Sequence, residues 1–199
     1  MSDTQHAVIE AFLQQQSITR LWEDVHSHTI SHYNKAGVVP FVRSGGFKYF
    51  MMKPVSISPD LSEPPFQICK GTRQYQLPDG TWQDIRDGAG QHADIKETLA
   101  ATALREGIEE LGLKLDNIKY MLDMGAFNFS SATTGKTKYM WLFAAEIHHH
   151  DNFLSDAETT PSTQERKWVN CADFQAIGRK DHVSILQEIE NRLINNFKE

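Results

Sequence analysis

Residues 97–113 read Glu97-Thr98-Leu99-Ala100-Ala101-Thr102-Ala103-Leu104-Arg105-Glu106-Gly107-Ile108-Glu109-Glu110-Leu111-Gly112-Leu113. Thr98 is a helix N-cap residue and Gly112 a helix stop, so the spacing predicts a helix over about 99–111. At roughly 100° per residue with Leu99 at zero, Ala100, Leu104, Gly107, Ile108 and Leu111 fall between about 80 and 180°. Glu106, Glu109 and Glu110 fall on the opposite arc, so one face is expected to be buried and the other to carry three carboxylates on an exposed ridge.

That ridge works against the helix that carries it. Glu106 repels Glu109 and Glu110 at i+3 and i+4 by about 0.2–0.5 kcal/mol per pair, and all three lie near the C-terminus, where the helix dipole disfavours negative charge. Arg105 can neutralise one of them but not all three. The remaining oxygen-rich cluster suits a hard divalent ion such as Mg2+; an acidic helix end facing water is the other reading of the same spacing.

Outward from this helix the pattern is that of short strands. Val38–Val42 and Tyr49–Met52 flank the turn Ser44-Gly45-Gly46 and predict a hairpin. Pro54, Pro59, Pro64 and Pro65 mark an irregular stretch, followed by a short strand near Phe66–Cys69 and a turn at Pro78-Asp79-Gly80; residues 71–89 read as an insertion. Beyond the helix, Ile118–Phe129 and Thr137–Ile147 predict two long strands. A polar loop at 148–166, a short strand Trp168-Val169 and a terminal helix with Ile185, Ile189, Leu193 and Ile194 on one stripe complete the core. Residues 1–35 form a helical arm, with Val8, Ile9, Phe12, Leu13, Ile18, Leu21, Trp22 and Val25 at helical spacing, which packs on the domain or on a second subunit as a homodimer contact.

Composition bounds the partners. With 199 residues the chain fits one ordinary domain, and 40% apolar with 23% charged residues is the balance of a folded globular protein. A formal net charge of -6 leaves no broad basic face for nucleic acid. The apolar run Tyr139–Ala145 is far short of the ~20 residues that span a bilayer. The N-terminus lacks the features of a secretory signal, so the chain reads as cytoplasmic, and Cys69 and Cys171 as reduced thiols.

The stretch from Gly90 to Leu113 resembles the Nudix box, G-x5-E-x7-R-E-U-x-E-E-x-G-U with U a bulky aliphatic. It matches at Glu97, Arg105, Glu106, Glu109, Glu110, Gly112 and Leu113. Two positions depart: Gln91 stands where the first glycine belongs, with Gly90 one step earlier, and Gly107 replaces the bulky aliphatic. The order of strands and helices from about 36 to 196 is what the Nudix fold needs. The resemblance therefore implies an α/β (α+β) architecture, a Nudix-type α/β/α sandwich with a mixed β-sheet over 36–199, plus the N-terminal arm.

It also implies an activity: Mg2+-dependent (or Mn2+-dependent) hydrolysis of the pyrophosphate in a small nucleoside diphosphate derivative. Glu106, Glu109 and Glu110 would hold the metal, with the main-chain carbonyl at Gly90. Arg105 would orient the glutamates by pairing with Glu97, which shapes the loop or touches a metal-bound water. The general base would be a box glutamate or an acid of the 148–166 loop, Asp156, Glu158 or Glu165. Lys70, Gly71 and Arg73 lie on a stretch without acids and could meet phosphates, and the Lys-Gly pair is similar to one often found shortly before the box. Phe127, Phe129, Tyr139 and Trp141 offer rings against a base, or core packing. His148-His149-His150 reads as a solvated turn, because consecutive strand residues point to alternate faces. The rival to an enzyme is a Nudix-fold module that binds a nucleotide without cleaving it.

Overall fold

The structure is a computed structural model and describes residues 3–21, 33–55, 65–86, 89–90, 92–130, 135–149 and 163–198. In chain order it contains α1 (Asp3–Gln15), β1 (Thr19–Arg20), β2 (Lys35–Val42), β3 (Lys48–Pro54), β4 (Cys69–Thr72), β5 (Gln74–Gln76) and β6 (Trp82–Asp84). Then follow α2 (Leu99–Glu106), a π-helical turn (Gly107–Leu111), β7 (Ile118–Ser130), β8 (Thr137–Ile147), β9 (Thr163–Val169), α3 (Cys171–Ile177) and α4 (Lys180–Asn196). The main sheet runs β1-β7-β8-β2-β3-β9, with β4 also on β2, and β5–β6 form a separate hairpin. It is a mixed sheet, because β1–β7 and β2–β8 are parallel and the other pairs are antiparallel.

Alternation along the strands feeds two apolar layers. Ala36, Val38, Trp141, Phe143 and Ala145 pack with Ile9 of α1 and Leu99, Ala101, Ala103 and Leu104 of α2. Val39, Phe41, Met140, Leu142 and Ala144 pack with Phe174 of α3 and Ile185, Leu186, Ile189 and Leu193 of α4. Each buried Val, Leu, Ile, Phe or Met side chain among them contributes about 1.5–3 kcal/mol relative to exposure, so the sheet is held from both sides as an α/β/α sandwich.

One edge of β2 is divided, and this division places the site. β3 pairs with β2 at Phe41 and Val42, while β4 takes Lys35 to Val38 on that edge. β4 therefore crosses directly over α2 and the π turn, and it brings Cys69 to Thr72 to the acidic end of the box.

The predicted hairpin, the two long strands and the terminal helix stand where the sequence puts them. The polar loop is shorter than expected, since residues 163–166 belong to β9, which pairs with β3 from Tyr49 to Pro54. The helix α3 has no counterpart in the sequence reading. It starts at Asn170, whose side chain accepts from the Asp173 amide at 2.7 Å. Trp22, Val25, Pro59, Pro64, Gln91, His150, Asp156 and Glu158 lie outside the described residues. No helix among the described residues is long and apolar enough to cross a membrane.

Candidate active site

The box helix begins as its sequence requires. Thr98 Oγ1 accepts from the Ala101 amide at 3.0 Å, and the helix stops at Gly112, whose φ of 71° is a left-handed position that suits glycine. Between these caps it is not one α-helix. The last turn, Gly107–Leu111, is π-helical, and a Cβ on Gly107 would lie 2.7 Å from Val38 Cγ1 and 3.0 Å from Leu113 Cδ2. The bulky aliphatic of the family pattern has no room there, and the backbone approaches β2 instead.

The expectation of an exposed acidic ridge is corrected by this geometry. Glu106 is 8% exposed, and Glu109 and Glu110 are half-buried. The α2 helix has β2 and β4 on one side and α1 on another, so it is enclosed nearly all round. The widened last turn also changes the angular steps on which the ridge was drawn.

Arg105 carries more than the one carboxylate expected of it. Its Nε donates to Glu97 Oε1 at 2.8 Å, its NH1 donates to Glu106 at 2.7 Å and to Glu109 at 3.1 Å, and its NH2 donates to the Thr72 carbonyl at 2.6 Å. Burial disfavours its charge, yet the Glu97 hydrogen bond and the fields of Glu106, Glu97 and Glu109 raise its pKa. Glu97, 2% exposed, also accepts from the Gln74 amide at 2.9 Å and from Thr102 Oγ1 at 3.0 Å. Glu97 is thus a buried anchor of the loop before the helix, with Arg105 as its partner.

Glu110 stands outside this network. Among the described residues its carboxylate meets only the Cys69 thiol, with Sγ 3.7 Å from Oε2, while its main-chain carbonyl accepts from Arg166 Nε at 2.6 Å. Burial, with Glu106 beside it, pushes its carboxyl up to about 7 in spite of Lys70. Burial likewise holds Glu106 above the usual carboxylate range, with Glu109 and Glu97 adding to the effect against Arg105. Two buried acids with too little positive charge around them is the electrostatic signature of the site.

Among the described residues no three carboxylate, imidazole or thiol groups converge closely enough to hold a metal ion as they stand. The chemistry of the donors nevertheless suits a hard divalent ion: Glu106, Glu109 and Glu110 supply carboxylate oxygens, and Glu106 lies in a cradle that a side chain would fill. A Cβ on Gly71 would sit 1.7 Å from Glu106 Cδ. Glu106 and Glu110 are the acids whose raised pKa shows that a further cation would favour their charged form.

The remaining candidates divide. At Gly90 a Cβ would run into the Tyr75 ring at 2.1 Å, and the Gly90 carbonyl accepts from the Ala93 amide at 3.1 Å. Gly71 is the glycine that meets Glu106, so the Lys70-Gly71 pair occupies the place beside the acids and residues 74–84 form a hairpin between the two halves of the motif. Lys70 Nζ lies 5.3 Å above the Phe129 ring, and burial, with Lys35 and Arg179 nearby, lowers its pKa to about 8. Arg73 donates Nε to the Glu97 carbonyl, which ties it to the box loop. Phe127 and Phe129 are 8% and 6% exposed in the core layer, and Arg192 lies 5.0 Å over Phe127. Trp141 is 4% exposed, whereas Tyr139 is 56% exposed. Glu165 is exposed, with Lys53 Nζ at 4.0 Å. His148 and His149 are exposed at the end of β8, and Asn117 bonds the His149 backbone twice at 3.0 Å. Arg166 falls at the end of the expected polar loop but belongs to β9, whose alternation is the trace of it in the sequence.

The sequence profile of the NUDIX domain matches residues 69–189, more than half of the chain, and the chain belongs to that family. Solved structures share its fold. The chain is similar to a C. elegans Ap4A hydrolase in a binary complex, at 17% identity and a TM-score of 0.54 over 81% of this chain and 97% of that one. It is similar to the NUDIX domain of Shewanella oneidensis NrtR complexed with ADP ribose, at 14% identity and a TM-score of 0.52 over 97% and 99% of the chains. It is also similar to the E. coli dihydroneopterin triphosphate pyrophosphohydrolase, at 16% identity and a TM-score of 0.51 over 82% and 98%. No curated protein matches the chain by sequence.

Proposed function

We propose that the protein is a divalent-metal-dependent pyrophosphohydrolase that cleaves a small nucleoside diphosphate derivative, with Mg2+ as the working ion and Mn2+ as an alternative. The observation that carries the reading is the crowding of Glu106 and the half-buried Glu110 beside a single Arg105 that is shared among Glu97, Glu106 and Glu109, which leaves both carboxyls above their usual range. A folded chain tolerates such a cluster when a cation joins it. In this reading residues 1–35 are an arm on a catalytic domain at 36–199. The net charge of -6 favours a small-molecule partner over nucleic acid, and the protein acts in the cytoplasm, with a homodimer as the assembly to test.

Glu106, Glu109 and Glu110 would hold the metal, which would neutralise pyrophosphate oxygens and activate water for attack on phosphorus. The chain does the rest. Arg105 fixes Glu106 and Glu109 through one nitrogen, and Glu97 fixes Arg105. Lys70, on β4, would meet a phosphate and Phe127 would wall the base side, while Arg73 braces the loop through the Glu97 carbonyl. Water adds to one phosphorus as the bridging P–O bond breaks, and an acid of the site takes the water's proton.

A second reading, a sensor that binds a nucleotide without cleaving it, is favoured by one observation: Arg105 already holds Glu106 and Glu109, and no three acids among the described residues are gathered for an ion. The neighbour whose NUDIX domain was solved with ADP ribose lends it a ligand class. Purified protein with Mg2+ is offered a panel of nucleoside diphosphate derivatives, and phosphate is read after phosphatase coupling. Turnover that falls at least about tenfold in both Glu106→Gln and Glu110→Gln supports the enzyme. Equal turnover in both variants overturns the ligand assignment, and calorimetric binding without product decides for the sensor.

A further inference from the structure

The amino-terminal helix lies outside the NUDIX match, yet it reaches the box. His6, 6% exposed, stacks on Trp82 of the β5–β6 hairpin with ring centroids 4.0 Å apart at 18°. Its Nδ1 lies 3.4 Å from Glu97 Oε1, while its Nε2 is buried without a partner. Trp82 is held in turn by Asp3, whose Oδ1 accepts from Nε1 at 3.1 Å. One turn along α1, Ile9 is 1% exposed in the core layer of α2. The arm is therefore seated by apolar burial at Ile9 and steered by Asp3 and His6. The imidazole is confined between an indole face and a carboxylate, with the Gln74 side chain as a further polar neighbour.

What His6 touches is the first link of the chain that sets the acids. Glu97 Oε1 is shared between His6 and Arg105 Nε, and Arg105 NH1 is shared between Glu106 and Glu109. A shift of the Glu97 carboxyl would turn the guanidinium, and one guanidinium nitrogen cannot keep two carboxylates at 2.7 and 3.1 Å while it turns. We propose that His6 is a positioning residue of the box: wedged between Trp82 and Glu97, it fixes Glu97, and through Arg105 it fixes Glu106 and Glu109. The arm and the 74–84 hairpin thereby become parts of the site rather than additions to it. What Glu106 and Glu109 do with a metal rests on the function proposed above; the contact chain does not.

The test uses the full-length protein and two readouts, the Arg105 Nε–H resonance in a proton–nitrogen spectrum, assigned with Arg105→Lys, and Mn2+ affinity by calorimetry. His6→Phe keeps a ring on Trp82 and removes the nitrogen at Glu97; His6→Asn keeps a polar nitrogen near the place of Nδ1 without the ring. The expected result is a displaced or broadened Arg105 signal in His6→Phe with Mn2+ affinity lowered about 3- to 10-fold, and recovery toward the parent in His6→Asn. An Arg105 signal in His6→Phe identical to the parent's overturns the proposal, whatever happens to stability, since a purely structural arm would leave Arg105 in place once docked. His6→Leu answers the same question if the phenylalanine variant does not fold. Should the parent bind no Mn2+, the proposed function fails, and the Arg105 resonance still decides this inference.

Discussion

Two buried acids in this molecule live in opposite electrostatic surroundings. Glu146 on β8 is 2% exposed and fully answered: Arg43 Nε at 2.8 Å, Lys119 Nζ at 3.0 Å and the Tyr120 hydroxyl all converge on it. Burial pushes its pKa up, but the hydrogen bonds from Tyr120, Lys119 and Arg43 outweigh that and hold it below the usual range. Glu106 is as buried in kind, with one cation that it shares, and its pKa is raised. Burial alone does not mark a functional acid. The balance of donors around it does, because a complete shell belongs to the fold and a deficit leaves room for a ligand.

The contrast can be broken by exchanging one atom at each place. Glu106→Gln removes the charge a cation would need, so turnover should fall by about 100-fold, or ~2.7 kcal/mol of barrier, with the melting temperature kept or raised because a repulsion is relieved. Glu146→Gln should do the reverse. It leaves Arg43 and Lys119 without their anion, and since both are about 40% exposed the cost is about 1–2 kcal/mol of stability with turnover unchanged, read by chemical denaturation. A parent-like Glu106→Gln enzyme, or a Glu146→Gln variant that loses turnover but not stability, would erase the distinction. Gly71→Ala probes it more gently. The added methyl lands on Glu106, so divalent affinity should drop about tenfold with the fold retained, and an unchanged calorimetric titration would show that Glu106 is not where the ion goes.

These two acids also mark how far the sequence could be read. Thr98 as cap and Gly112 as stop are local signals, and the helix and its ends were legible from them, while the Glu97–Arg105 pair was implied by the resemblance to the Nudix box. The strands were legible from their β-branched and aromatic runs, and the mixed sheet was implied by the same resemblance. What escaped depends on contacts distant in sequence. That Gly107 admits a π turn is decided by Val38 and Leu113 on its other side, and that Gly71 meets Glu106 is decided by β4 lying across the box helix. Arg166 arrives from a strand whose start was hidden in polar residues, and His6 from an arm whose docking partner, Trp82, lies 76 positions away. Arg105 reached further than expected because one planar guanidinium with five donors, held in place by Glu97 and the Thr72 carbonyl, can serve several oxygens at once.

The smallest effect concerns Glu110, where the deficit of donors should be visible as a pH dependence without any substrate. Burial, with Glu106 beside it, raises its carboxyl to about 7 in the folded protein, against about 4.5 for an exposed glutamate. Below about 4.5 both states hold the proton; between 4.5 and 7 the unfolded chain has released it and the folded chain has not, so stability is lost as pH rises through that window. Solvent reaches part of this side chain, which limits the loss to about 1 kcal/mol. Other groups move too: His182, buried with its Nδ1 accepting from the Ile68 amide and its pKa lowered by burial to about 2, costs stability as pH falls below 6.5. That term is common to parent and variant, so the difference between the metal-free parent and Glu110→Gln isolates the carboxyl. The gap in unfolding free energy should open from pH 4.5 to 7 in favour of the glutamine and close when Mg2+ is added to the parent. A gap that stays flat across that range would place Glu110 with Glu146, among acids whose surroundings already satisfy them.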